Sequence, residues 1–430
     1  MAITVIDTII VFGAILILGF IGNYIFNKTQ IPSIIWLLLF GVFIGLIFNV
    51  QRIDENLLSQ VSGLFGAIAI IIILFDGGIN TDLHQLFRGA PRGLLLTITG
   101  FCLSIIVTMV IVIGITFSGY LDIPLDKSVI LGLILGAIVA GTSSPIVIPL
   151  ASRLRNLQDK TKIVLSIESI LTDPLCIVVV LAAVFMITTP NASIGDGVRN
   201  LVSTFAVGGV VGAIIGLAWL PIMHKIRKEQ FSYILTLAVV FLIYSITESW
   251  WGGAGALSCL SFGLVLGNGK KVLKMLNYQG KGFEMDEETK HFHSLTSFVI
   301  RTFFFVYLGM LVSFQKIEFI LIGIIVLIAL LGFRYIAILI STYNGDFEKD
   351  DIQTMAVLMP RGLAAAILAI NFGPLIVGEK GLNLGVSMNS FFKDVAFVII
   401  LGTAIITTIG VSVICHYEMK KLKQAESGEN

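Results

Sequence analysis

Glu168-Ser169-Ile170-Leu171-Thr172-Asp173-Pro174 lies inside the long apolar run from Ile163 to Met186. A run of that length suits a helix crossing the roughly 30 Å hydrocarbon core of a bilayer. Charge at such depth is costly, and an ionisable residue there is by default a functional-site hypothesis. Two carboxylates, two hydroxyls and a proline in seven positions therefore point to a pathway for an ion or a proton.

The remainder of the chain supports a membrane setting. Of its 430 residues 56% are hydrophobic and 13% charged, and the mean hydropathy is +0.98, against about 25% charged residues in an ordinary soluble domain. The expected class is an all-α polytopic membrane protein with membrane lipid around it. A formal net charge of +1 argues against nucleic acid, whose phosphate backbone demands a strong cationic field. Cys102, Cys176, Cys259 and Cys415 stand in apolar segments without the close pairs of a redox or metal motif, and read as packing residues. Ile3 to Phe26 lacks a basic n-region and a small-residue cleavage site, so it is expected to remain as a membrane helix. No soluble domain is expected after the last span.

With about 20 apolar residues per span, helices fall near 3–27, 32–49, 60–79, 93–118, 128–152, 162–188, 198–222, 230–249, 252–267, 294–313, 317–342, 352–376 and 390–415. That makes about thirteen, an odd number, so the termini lie on opposite sides. Most of the 28 Lys and Arg fall in the odd-numbered connections and the tail. The positive-inside rule then places the N-terminus outside and the C-terminus in the cytoplasm. The five histidines (His84, His224, His291, His293, His416) fall on the cytoplasmic side, as ordinary interface residues or sensors of internal pH. Arg301, Arg334, Arg361 and Lys393 fall within predicted spans and need partners; by position Arg301 and Arg361 are the deepest.

Two spans carry Gly, Pro and hydroxyl residues where a continuous helix would not: Gly141-Thr142-Ser143-Ser144-Pro145 and Pro360-Arg361-Gly362. The fifth and twelfth spans are an odd number apart and so cross in opposite senses. Inverted-topology repeats with broken helices at a midplane binding site leave this footprint, although Gly and Pro are also common in membrane helices generally. On the sixth span Ser169 and Asp173 share a face, while Glu168 and Thr172 lie about 100° round. Pro174 has no N–H, so the Ile170 carbonyl loses its helical partner and is free to accept. Oxygen donors of this kind suit a hard cation, and Thr142, Ser143 and Ser144 could add to them. Asp76, in Phe75-Asp76-Gly77-Gly78, offers a second carboxylate, or simply a helix end meeting water.

Desolvation favours the protonated form of a buried carboxylate and a bound cation favours the ionised form. Asp173 can therefore hold either, and that competition is sufficient for antiport. Glu168 stays ionised only with a partner, for which Arg361 is the first candidate; alternatively Arg361 caps the broken helix by binding freed carbonyls.

At these residues the chain resembles the cation/proton antiporter superfamily, NhaP-type sodium/proton antiporters in particular. The stretches that match are Phe75 to Gly78, Gly141 to Pro145, Glu168 to Asp173, Gly252 to Asn268, Phe303 to Gly309 and Arg361-Gly362. The resemblance implies the Na+/H+ antiporter fold, broken helices crossing at the midplane, and a homodimer in the plasma (inner) membrane. It implies a scaffold of residues 1–90 and 230–315, a mobile core of 91–190 and 316–417, a linking span in 191–229 and a short tail, 418–430. It assigns ion or proton binding to Asp173 with Ser169, Thr172, Thr142, Ser143, Ser144 and Asp76, and a structural ion pair to Glu168 and Arg361. No cofactor is implied; Na+ (or Li+ or K+) and H+ are cargo.

Two departures bear on selectivity. The family's Asn-Asp pair is Thr172-Asp173, and its Thr-Asp-Pro is Ser143-Ser144-Pro145, which takes an acid out of the site. Arg301, just before Phe303-Phe304-Phe305, resembles instead the basic residue of the antiporter branch that holds glutathione-gated potassium efflux systems. Electroneutral exchange of one Na+ (or Li+) for one H+ is the first expectation, and K+/H+ exchange the second. A cation channel, which would need a filter loop, an intramembrane hydrolase, which would need a metal or nucleophile constellation, and a non-transporting membrane sensor are readings of other classes. Single cysteines placed within 153–162 are expected to react with impermeant reagents from the cytoplasmic side alone; labelling from outside would overturn the topology.

Overall fold

The computed structural model describes residues 5–29, 31–48, 55–121, 123–154, 157–189, 193–226, 229, 231–275, 287–312, 314, 316–378, 381–385, 388 and 390–427. The end of the expected tail, 428–430, lies outside them, as do the side chains of His84 and His291. The described residues form seventeen helices. The first eight are α1 (Val5–Thr29), α2 (Ser33–Phe48), α3 (Glu55–Ile79), α4 (Leu83–Phe117), α5 (Leu125–Val139), α6 (Ser144–Arg153), α7 (Asp159–Thr188) and α8 (Ile194–Ile226). There follow α9 (Ser232–Trp251), α10 (Gly255–Gly267), α11 (Gly269–Met275), α12 (Glu287–Leu311), α13 (Ile317–Thr342), α14 (Lys349–Val357), α15 (Leu363–Asn371), α16 (Gly373–Val377) and α17 (Phe391–Ser427).

Every expected span is met by a helix or by an interrupted pair. Seven helices among the described residues are long and apolar enough to cross a bilayer alone, and α5 with α6 makes an eighth span bent by 43°. The protein is a multi-pass membrane protein. In hydrocarbon a backbone group must find its partner within the protein, and the helix alone among open structures provides this.

Contacts between loops establish that the connections alternate between two ends. The Arg153 guanidinium lies 5.0 Å from the Phe26 ring centroid, Lys271 Nζ is 2.6 Å from Asp82 Oδ1, and Gln158 Nε2 donates to Glu348 Oε1 at 2.8 Å. Arg92 donates to the Ser341 carbonyl at 2.9 Å. All of these join odd-numbered connections or the helix ends beside them. At the opposite end Lys127 Nζ reaches the Asn383 carbonyl at 3.5 Å. The first, third, fifth, ninth and eleventh connections thus share one end of the molecule.

Helices whose surroundings are as apolar as lipid associate through close packing of small residues. Gly41 of α2 lies against the Val306 carbonyl of α12, and Gly309 of α12 against the Leu38 carbonyl of α2. The α3–α10 contact repeats the device: Gly78 faces the Leu260 carbonyl and Gly263 the Phe75 carbonyl. Elsewhere α4, α5, α7, α13, α15 and α17 pack around one large core that holds both interrupted spans. Of the cysteines, Cys176 and Cys259 are buried as packing residues are, while Cys102 faces outward.

Gly263→Leu has no room against the α3 backbone and should separate α3 from α10. A melting temperature in detergent lower by several degrees is the expected outcome, and an unchanged one would contradict the close approach.

Candidate ion site

The two interrupted spans meet at their breaks. The Ser143 N–H, at the start of α6, donates to the Pro360 carbonyl between α14 and α15 at 2.8 Å. Gly362, which opens α15, lies so near Ser143 that a Cβ built on it would be 2.7 Å from the serine Cβ. Glycine is required there by space, not by backbone angle.

A break in mid-membrane strands the last carbonyls of the helix before it. At the end of α14 three carbonyls have side-chain donors: Thr407 donates to the Val357 carbonyl at 2.9 Å, and Arg334 donates to Met355 at 3.2 Å and to Leu358 at 3.4 Å. At the end of α5 the Ala140 carbonyl accepts from Arg361 Nη1. The backbone N–H of Arg361 in turn donates to Thr403 Oγ1 at 3.0 Å. A cation at the carbonyl end of a half-helix also meets the negative end of its dipole.

Arg334, and not Arg361, is the partner of Glu168. Its guanidinium grips the carboxylate with both nitrogens, Nη1 to Oε1 and Nη2 to Oε2, the latter at 2.9 Å. Both residues are buried, at 3% and 5% exposure. The expected Glu168–Arg361 pair is thus corrected, and the alternative capping role of Arg361 is the one its contacts show. The reason is geometric: α13 packs on α4 and against α14 and turns Arg334 inward, while Arg361 follows the break toward α5. Arg334 and Arg361 are buried, and Arg301 is half-buried. A lone arginine inside the apolar run Ile317–Thr342 was the available signal; the direction in which α13 turns it was not.

Asp173 is buried, and its Oδ1 has no hydrogen-bond donor among the described residues. Gly141 lies beside it: a Cβ there would come within 3.2 Å of Oδ1 and 2.8 Å of Cys176 Sγ. The carboxylate borders a cavity of about 510 Å³. Ser143, Ser144, Ile170 and Pro174 line it beside Asp173, while Asp76, Asn80 and Arg301 line it from α3 and α12. Asn80 Nδ2 donates to Asp76 Oδ1 at 3.0 Å, and Asn80 is itself exposed, at the end with the basic connections.

Of the expected ligands, Asp173, Ser143, Ser144 and Asp76 therefore meet in one cavity. Thr142, Thr172 and Ser169 do not line it. The Thr142 N–H donates to Thr172 Oγ1 at 3.0 Å, and the two hydroxyl oxygens are 3.3 Å apart. Ser169 Oγ donates to the Ser166 carbonyl at 3.1 Å, within its own helix. Thr142 and Thr172 thus hold the first break against α7 instead of offering oxygens to the cavity. The helical face shared by Ser169 and Asp173 is wide enough for the carboxylate to reach the opening while the shorter serine side chain bonds backward.

Crossed, interrupted helices around a buried carboxylate, with a cavity leading to it, define the class of secondary carriers. The chain belongs to the sodium/hydrogen exchanger (transmembrane) family, which it matches over residues 13–416. It is 26% identical over 408 residues to the K(+)/H(+) antiporter NhaP of Alkalimonas amylolytica, covering 92% of this chain and 64% of that protein. It is 25% identical over 404 residues to Na(+)/H(+) antiporter 1 of Methanocaldococcus jannaschii, covering 91% and 89%. Sodium/hydrogen exchanger 8 of Arabidopsis thaliana is 23% identical, and the chain spans 40% of that longer protein. The structure of the sodium proton antiporter MjNhaP1 from Methanocaldococcus jannaschii superposes with a TM-score of 0.73 at 24% identity, covering 94% of each chain, and shares its fold.

Removing one member of a buried pair leaves the other charge stranded, at about 3–5 kcal/mol. Arg334→Ala should therefore lower thermal stability in detergent strongly, and Glu168→Gln likewise, with cation affinity of the folded fraction little changed. Unaltered melting with a shifted affinity would reverse the assignment.

Proposed function

We propose that this chain exchanges Na+ (or Li+) for H+ across the plasma membrane, one for one, with Asp173 holding each cargo in turn. The observation that carries this reading is the buried carboxylate of Asp173 beside the cavity, with no donor to its Oδ1 among the described residues. A carboxylate in that position can hold a proton or a cation, and the two compete for it. The Ser143 and Ser144 hydroxyls and the Ile170 carbonyl, freed by Pro174, supply neutral oxygens of the kind a hard monovalent cation takes. Glu168 is held by Arg334 and takes no part, so one site carries one charge each way.

A K+/H+ exchange is the second reading. It is favoured by Ser144, a neutral residue at the cavity wall where related sites carry an acid, and by the similarity to a K(+)/H(+) antiporter. A site with fewer acids has a weaker field and gains less from the smaller ion.

The N-terminus is placed outside and the C-terminus in the cytoplasm, so that the cavity faces the cytoplasm. Residues 91–190 and 316–417 form the moving core, and residues 1–90 and 230–315 the scaffold of a homodimer. Alternating access then requires the core, with its crossed breaks, to shift against the scaffold.

Proton flux in proteoliposomes, at zero membrane potential with Na+, Li+ or K+ added separately, tests this reading. Cation-dependent flux is expected in the wild type and is expected to fall to background in Asp173→Asn. Full exchange by Asp173→Asn would remove Asp173 from the mechanism, and a response to K+ alone would decide for the second reading.

A further inference from the structure

Three ionisable side chains line the cavity among the described residues: Asp173 on α7, Asp76 on α3 and Arg301 on α12. Their charges do not balance. With both carboxylates ionised the cavity wall carries one net negative charge, that of a single monovalent cation or proton.

The arrangement also says which carboxylate the arginine offsets. Helices α3 and α12 pack on each other, so Asp76 and Arg301 belong to one wall. Ser294 and Ser297 line the same cavity; they stand seven and four residues before Arg301, positions that share a helical face with it, so this face of α12 is turned toward the opening. Asp76 and Arg301 are thus opposite charges on neighbouring helices, facing the same cavity. Asp173 belongs to the other wall, beside the first break, and its Oδ1 has no donor among the described residues. Both Asp76 and Arg301 are half-buried, close enough to the opening for their charges to be felt in it.

We propose that Arg301 cancels the charge of Asp76, so that of two carboxylates on the cavity wall only Asp173 is available to cargo. Arg301 is then a specificity-determining residue: it sets the cavity to one charge per turnover without touching the cation. This inference rests on Asp173 as the cargo carboxylate. It separates the two acids by role, Asp173 for exchange and Asp76 as half of a neutral pair on the scaffold side.

The experiment is a charge-compensation cycle in proteoliposomes, measuring the cation concentration at half-maximal proton flux and its response to an imposed membrane potential. Arg301→Gln exposes a second negative charge and should lower the half-maximal concentration by about tenfold, given the size of charge interactions in a partly polar cavity. It should also make exchange sensitive to potential. Asp76→Asn leaves Arg301 unbalanced and should raise the half-maximal concentration by a similar factor. The double variant should return to within about twofold of the wild type and lose the sensitivity to potential.

Shifts of the two single variants in the same direction, or a double variant that keeps the shift of one parent, would overturn the proposal. Arg301→Lys preserves the charge and should keep the wild-type value; if it behaves as Arg301→Gln does, charge is not the property that matters and the proposal falls. Should Arg301→Gln fail to fold, Asp76→Asn still decides, since an unshifted half-maximal concentration would show that Asp76 carries no weight in the cavity. Failure of the underlying reading is distinct: it would appear as exchange that survives Asp173→Asn.

Discussion

Two helices stop in the middle of an apolar slab, and the backbone they leave open has no water to turn to. That constraint organises the centre of the molecule. An unsatisfied carbonyl in hydrocarbon costs several kcal/mol, and here two arginines and two threonines meet the demand. Arg334 bonds the carbonyls at the end of α14, Arg361 the carbonyl of Ala140, Thr407 the carbonyl of Val357, and Thr172 receives the N–H of Thr142. The two breaks also satisfy each other, Ser143 donating to Pro360. A positive charge is a stronger donor than a neutral one, but two of them in an apolar core would be untenable alone. Glu168 answers that second demand.

The consequence is a division of labour along one helix. Glu168 and Asp173 stand on α7 five residues apart and so point in different directions. The first is turned toward α13 and α14, where a bidentate arginine holds it. The second is turned toward the first break and the cavity, where no donor holds its Oδ1. A carboxylate gripped by two charge-assisted bonds is a structural charge, whereas one with no donor on its oxygen among the described residues is left for another partner. Structural and labile charge are thus produced from the same residue type by orientation alone.

How much of this could be read from the chain follows from the range of each signal. The interruptions were legible because Gly141 to Pro145 and Pro360 to Gly362 break the helix where they stand; no distant residue is needed to see it. Asp173 was legible for the same reason, since Pro174 beside it removes a donor from the same turn. The partner of Glu168 was not, because the choice between Arg334 and Arg361 depends on how α13 is rotated about its axis and on where the chain goes after Pro360. The same limit applies to Thr172 and Ser169. Helical spacing puts them near Asp173, but it does not say that Thr172 is taken up by Thr142 or that Ser169 bonds back to Ser166. Arg301 was visible as a charge within a span, yet its place opposite the breaks became apparent only with the rotation of α12.

Gly141 shows how closely the two functions of this centre are bound together. The first break is needed so that backbone and hydroxyl oxygens can turn toward the cavity, and the residue that begins it has to be small for a separate reason. A Cβ at that position would crowd the Asp173 oxygen on one side and the Cys176 sulfur on the other. Alanine, the best helix former, would therefore favour continuing α5 and at the same time press on the Asp173 oxygen and the Cys176 sulfur. Conformation and packing thus ask for the same residue at Gly141, and at Gly362 space asks for glycine as well, with the Ser143 side chain leaving no room for a Cβ. The centre is consequently built from its smallest residues where the first break meets α7, at Gly141, and where the two broken helices meet, at Gly362, and its charges are set one layer out, where arginine can reach the carbonyls.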